Sequence, residues 1–90
     1  MDRLLEMDTL ISFHHPKPNY AIHILLVPKR AIPDLLSITT EDREFLRELF
    51  QAVQVLVKQF DLERTGYRLV ANGGKNQAFP YLHFHLISDD

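Results

Sequence analysis

Tyr81-Leu82-His83-Phe84-His85-Leu86-Ile87-Ser88 is the stretch on which the fold turns. Successive side chains of a strand point to opposite faces. Leu82, Phe84 and Leu86 therefore form one purely apolar face, and Tyr81, His83, His85 and Ile87 form the other. The apolar face needs a second layer to bury it. The other face brings two imidazoles to a spacing of two residues, with alpha carbons roughly 6.5–7 Å apart. A single strand histidine is ordinarily a half-buried, hydrogen-bonded residue. A His-x-His pair leaves three readings open: phosphate chemistry, a metal site or a structural pair.

The second layer is supplied upstream. Thr39 and Thr40 offer helix N-caps, and Glu41 and Asp42 suit the positive end that follows. Leu46, Leu49, Phe50, Val53, Val57 and Phe60 recur at spacings of three and four, which predicts one apolar stripe on a helix running to about Asp61. Arg43, Arg47, Glu48 and Lys58 then face water. Such a helix spans about 30 Å, enough to cover a small sheet. Thr9 to Phe13, Tyr20 to Val27 and Tyr67 to Ala71 read as further strands. The second of these is almost continuously apolar, as in a strand covered on both faces, and His23 is its one polar interruption. Pro16 and Pro18 force a loop between the first two, residues 72–77 form a polar glycine-bearing loop, and residues 1–8 read as a short frayed lead-in. The order β-β-α-β-β predicts an α+β domain over residues 1–90, an antiparallel sheet of about four to five strands with one long helix packed on it.

Composition narrows the function classes. The chain has 90 residues, 46% hydrophobic and 24% charged, which suits one small domain with a marginal core. It has no cysteine, which excludes disulfides, thiolate nucleophiles and cysteine zinc sites. The formal net charge is −2 and the only basic pair is Lys29-Arg30, so tight binding to a long nucleic acid is not expected. Ile22 to Val27 is far too short to cross a bilayer, and the charged, leucine-bearing N-terminus is no secretion signal. A cytoplasmic protein without a membrane partner or cofactor is expected. A small domain without cross-links gains by dimerising, and Phe45, Leu46, Leu49, Phe50 and Val53 make the helix apolar enough for a homodimer.

Taken with its neighbours in order, the opening stretch resembles the histidine triad (HIT) superfamily, whose signature is His-φ-His-φ-His-φ-φ with φ apolar. Residues 81–87 match its middle and last histidines and all four apolar positions, with Tyr81 at the first histidine. Ala21 to Arg30 is similar to the family's strand ending in Val-Ile-Pro-Lys. Phe13-His14 resembles the start of its nucleoside-contacting loop, and Gly66 to Asn72 its next strand. The resemblance implies a nucleotide-binding hydrolase or phosphoramidase that cleaves at an AMP-like α-phosphate through a nucleotidyl-histidine. His83 would be the nucleophile. Its other ring nitrogen would be held by the main-chain carbonyl of position 81, which Tyr81 supplies whatever its side chain. His85 would bring charge or a proton to the phosphate or leaving group, and His23 would order the imidazoles. Phe13, His14 and His15 would contact the nucleoside, and Asn72 and Gln77 would donate hydrogen bonds to phosphate. A purine mononucleotide or nucleoside phosphoramidate is the implied ligand, and pairing through the long helix and a sheet edge the implied homodimer.

Three departures matter. His15 stands where the family's ribose contact is usually acidic, which implies a weaker ribose grip or another ligand. The ligands of the structural zinc held by some bacterial members are missing together: there is no cysteine pair, Tyr81 replaces a histidine, and Ala31 follows the Pro-Lys turn. No metal is expected. The sequence also ends with the triad strand, where many members continue with a tail that shapes leaving-group specificity. A catalytically weak or inactive nucleotide-binding module is the alternative these departures favour. A metal site of His83, His85 and His23 is a third, for which no adjacent carboxylate completes the set.

Overall fold

Pro16, Pro18, Pro33 and Pro80, with Gly66 and Gly73, fall outside the helices and strands of the computed structural model, which describes residues 2–89. The strands are β1 (Leu5–Glu6), β2 (Leu10–His14), β3 (Ile22–Pro28), β4 (Arg68–Ala71) and β5 (Phe84–Ser88). The helices are α1 (Arg43–Gln59) and the short α2 (Leu62–Thr65). One five-stranded sheet has the order β1-β2-β3-β5-β4, and every neighbouring pair is antiparallel. The α+β architecture expected from the strand and helix patterns is the one observed.

The alternation on the last strand determines how the two layers meet. Leu82, Phe84 and Leu86 are buried beneath α1, and they join Leu10, Ile24 and Leu26 from β2 and β3. From the helix, Phe45, Leu49, Ala52 and Leu56 close the core. Burying a leucine of this kind contributes about 1.5–3 kcal/mol, and Ile24, Leu26, Phe84 and Leu86 anchor the central strands β3 and β5 to the helix in this way. The site side chains therefore hang from the best-anchored part of the sheet.

Four local expectations need correction. Residues 5 and 6 are no frayed lead-in: Leu5 pairs with Ser12 and Glu6 with Ile11, and the Leu4 N–H donates to the Ser12 carbonyl at 2.8 Å. A two-residue edge strand is too short to show alternation. The last strand begins at Phe84 rather than Tyr81, because the Leu82 N–H donates to the Ile32 carbonyl of a loop at 2.7 Å instead of joining the ladder. The helix starts at Arg43, after a 3₁₀ turn at Thr40–Asp42. There the Thr39 side chain accepts from the Glu41 N–H, and the Asp42 carboxylate accepts from the Thr39 N–H. It stops at Gln59, before Asp61 takes a left-handed conformation (φ 56°). Finally, its buried stripe is rotated from the one expected: Phe50 is 57% exposed, and Glu48 is buried.

The buried carboxylates have partners that explain them. Glu48 Oε1 accepts from the Thr9 N–H at 2.8 Å and from its hydroxyl at 2.5 Å, tying α1 to the start of β2. Asp42 takes two hydrogen bonds from Arg30 Nη2 and one from Nε, which fastens the loop after β3 to the head of the helix. These partners hold both carboxyls below the usual carboxylate range, led by the Thr9 hydroxyl at Glu48 and the Thr39 N–H at Asp42. Gly66 ends α2 at φ 89°, a backbone conformation open to glycine and strained for other residues. Among the described residues, no helix is long and apolar enough to cross a membrane.

Candidate functional site

The sheet face away from α1 carries a cluster of histidines. His23 on β3, His85 on β5, His83 just before β5 and His15 just after β2 converge there. Ring centroids lie 4.9 Å apart for His83 and His85, 5.1 Å for His23 and His85, and 4.4 Å for His15 and His23. Register explains the convergence: Leu25 pairs with His85 and His23 with Ile87, so the two histidines are diagonal neighbours on adjacent strands.

Hydrogen bonding sets the tautomers. The Asn19 N–H donates to His23 Nδ1 at 3.2 Å, so the proton of a neutral His23 ring sits on Nε2. That nitrogen lies 2.8 Å from His85 Nδ1, which must accept, leaving the His85 proton on Nε2. His85 Nε2 is buried and has no partner among the described residues. His83 stands differently. Its Nδ1 is 2.9 Å from the Tyr81 carbonyl, which can only accept, so Nδ1 carries the proton and the lone pair of a neutral ring is on Nε2. The pair thus offers one donor and one nucleophilic nitrogen side by side.

Burial, followed by the neighbouring His83, His23 and His15, lowers the pKa of His85 to about 4. Burial and then His15 lower that of His23 as well. Both rings are uncharged at neutral pH. His85 can donate a hydrogen bond there, and it carries no positive charge in the unliganded protein.

Two cavities flank the pair. One, of about 460 Å³, is bounded by Ile11, Phe13, His15, Pro16, Leu25, Val27, Phe79, Tyr81, Leu82 and His83. The other, of about 210 Å³, is bounded by Asn19, Tyr20, His23, Val70, Asn72, His85 and Ile87. Phe13 and His15 thus line the first cavity, and Asn72 lines the second beside His85. His14 does neither. One residue along β2 from Phe13, it points to the helix side and meets the Phe60 ring edge-on at 5.8 Å. Gln77 is also elsewhere: its amide donates to the Pro33 and Phe79 carbonyls at 2.8 and 3.0 Å and ties two loops together. Phe79, packed edge-on to His83 at 6.0 Å, was missed. So was the Asn19 main-chain N–H, which no side-chain pattern reveals.

The HIT domain model matches residues 1–90. The chain belongs to the HIT domain family. An uncharacterized HIT-like protein of Helicobacter pylori is 32% identical over 90 residues, spanning 98% of this chain and 84% of that one. One from Synechococcus elongatus is 35% identical, with 96% of this chain and 76% of that one covered. Among solved structures, a HIT family hydrolase from Legionella pneumophila superposes with a TM-score of 0.89 at 26% identity, covering 98% of this chain and 80% of that chain. A histidine triad nucleotide-binding protein from Candida albicans gives 0.84 at 28% identity, with 98% and 66% covered.

The neutral imidazoles give this HIT domain a characteristic acid response. Unfolded, His85 takes up a proton below about pH 6.5; folded, it resists until about pH 4. The unfolded state therefore binds more protons in that window, and the contribution of His85 to stability is fully present above pH 6.5 and is lost as the pH drops towards 4. His23 adds in the same direction. The melting temperature should start to fall already above pH 5, before the carboxylates titrate. His85→Gln should flatten that part of the curve. An unchanged slope in the variant would show that this ring is not held neutral.

Proposed function

We propose that the chain is a nucleotide hydrolase or phosphoramidase that cleaves at an AMP-like α-phosphate through a nucleotidyl intermediate on His83. The observation that carries this reading is the hydrogen bond from His83 Nδ1 to the Tyr81 carbonyl, at the edge of a cavity large enough for a small ligand. Tyr81 stands at the first position of the triad, where its carbonyl serves as a histidine's would.

In the first step the Nε2 lone pair attacks phosphorus, and the bond from phosphorus to the leaving nitrogen or oxygen breaks. The imidazole becomes cationic as it is phosphorylated, and its Nδ1–H bond to the Tyr81 carbonyl strengthens with that charge. His85 Nε2–H is the donor for a phosphate oxygen or the leaving atom, and the leaving group takes its proton from solvent. His23 and the Asn19 N–H keep that donor on Nε2. Asn72 lies beside His85 as a further polar contact. In the second step water forms a bond to phosphorus, the P–N bond to His83 breaks, and the proton of water passes to solvent. AMP leaves and the ring returns neutral.

Release of AMP from adenosine 5′-phosphoramidate, with the rate saturating in substrate, is the test. Thermal stabilisation by AMP without any turnover would instead support a binding module. The reading extends to a homodimer. Phe45, Leu49 and Val53 are consumed by the core, so the helix surface left for a partner is the exposed Phe50 and Val55. Sedimentation should give twice the 10.5 kDa chain mass, and Phe50→Glu should return it to one; a native 10.5 kDa species removes the dimer.

A further inference from the structure

Of the two cavities, the larger has a wall chemistry that bears on what it holds. Ile11, Phe13, Leu25, Val27 and Phe79 supply an apolar and aromatic lining, and among the described residues no aspartate, glutamate, asparagine or glutamine lines it. Only His15, Tyr81 and His83 bring polar side chains, and their capacity is largely used. His83 Nδ1 donates to the Tyr81 carbonyl, and its Nε2 is the nitrogen that faces phosphorus in the proposed reaction. His15 Nδ1 accepts from the Lys17 N–H at 2.9 Å, so its Nε2–H is a donor and not an acceptor. The one remaining side-chain acceptor is the hydroxyl of Tyr81, a residue 47% exposed and open to competition from water.

A ribose presents two neighbouring hydroxyls. Selecting them takes acceptors fixed in pairs, and a carboxylate does this best because it has acceptor positions only. The carbonyls of the underlying β2 and β3 residues run along the sheet in their own ladder and do not replace it. Nothing here holds a diol.

We propose that this cavity holds the aromatic organic part of a phosphate ester or phosphoramidate without reading sugar hydroxyls, so that ribonucleotides, 2′-deoxyribonucleotides and sugar-free phosphates of aromatic alcohols are accepted alike. This rests on the reading above only in placing phosphorus at His83. A site built around a substrate hydroxyl rejects the analogue lacking it by several orders of magnitude, because its own polar groups are left unpaired. A wall without such groups has nothing to leave unpaired, and the ratio falls to near one.

Calorimetric titration of the native protein with AMP, 2′-deoxy-AMP, benzyl phosphate and inorganic phosphate tests this without requiring catalysis. The two nucleotides should agree in Kd within about fivefold. Benzyl phosphate should bind more tightly than inorganic phosphate by about tenfold or more, in keeping with one buried aromatic group. Phe13→Ala, a half-buried residue outside the helix-facing core, should weaken the three organic ligands and leave inorganic phosphate unchanged. A loss of more than fivefold on removing the 2′-hydroxyl overturns the inference, as does failure of the organic ligands to outbind inorganic phosphate. Equal nucleotide binding with no phosphoramidate turnover leaves this inference standing and removes the hydrolase.

Discussion

His83→Ala is expected to lower AMP release from adenosine 5′-phosphoramidate by roughly three or more orders of magnitude, the usual consequence of removing a nucleophile. The fold should hardly notice. The ring lies on the sheet face away from α1, outside the buried cluster, and its hydrogen bond is to the carbonyl two residues earlier. A change in unfolding free energy within about 0.5 kcal/mol is expected, as for a substitution that removes no core contact. Leu82 and Phe84 on either side stay anchored beneath the helix, so the strand keeps its place. The paired measurement is steady-state turnover and thermal unfolding on the same preparation. Loss of activity together with a lost fold would say nothing about chemistry, which is why the second measurement belongs with the first. Wild-type turnover in the folded variant would end the nucleophile assignment.

Leu86→Ala is expected to do the opposite, costing about 3 kcal/mol of stability while leaving the chemical groups in place. Leu86 is completely buried, pairs with Ile24 and Leu69, and sits at the centre of the layer that α1 covers. Truncating such a leucine removes its transfer free energy and leaves a cavity that the surroundings fill only in part. A chain of this length has a total stability of about 5–13 kcal/mol. The melting temperature should therefore fall by roughly 12–20 °C. Circular dichroism on heating reads it directly. A fall of less than about 4 °C would mean that the core is not centred on β3 and β5. Below its new melting temperature the variant should keep most of its turnover, since His83 and His85 project to the other side.

The contrast between these substitutions reflects how the chain encodes its fold. Alternation from Leu82 to Leu86 was readable because period-two patterning is a property of the strand itself, and it assigned the buried face correctly although the ladder begins only at Phe84. The bond from His83 to position 81 came from the family resemblance rather than from the pattern, and it holds here because a main-chain carbonyl is present whatever the side chain. Glu48 and Phe50 were assigned the wrong way round. The helix begins later than its caps suggested, and a rotation of its stripe exchanges a charged position for an aromatic one at the border. His14 and His15 are adjacent in sequence, yet the pleat sends His14 to Phe60 and lets the chain beyond β2 bring His15 back to His23. Composition alone gives no hint of that. Gln77 holds Pro33 and Phe79 across a sequence separation of 44 residues for the first of them, a contact invisible without the folded loop. The neutral state of His85 likewise follows first from its burial and then from the imidazoles of His83, His23 and His15, the last two brought from distant segments by the folded sheet.

The central claim is that His83 Nε2 bonds covalently to phosphorus during turnover. Mixing the protein with adenosine 5′-phosphoramidate, quenching within the first turnover under alkaline denaturing conditions that spare phosphoimidazole, and mapping the peptides by mass spectrometry tests this most directly. An adenylyl group on the peptide spanning residues 81–88, localised by fragmentation to His83 and absent from His83→Ala, is the predicted result. Turnover with no adduct in the quenched protein, or an adenylyl group on His85 or His23 instead, would contradict it.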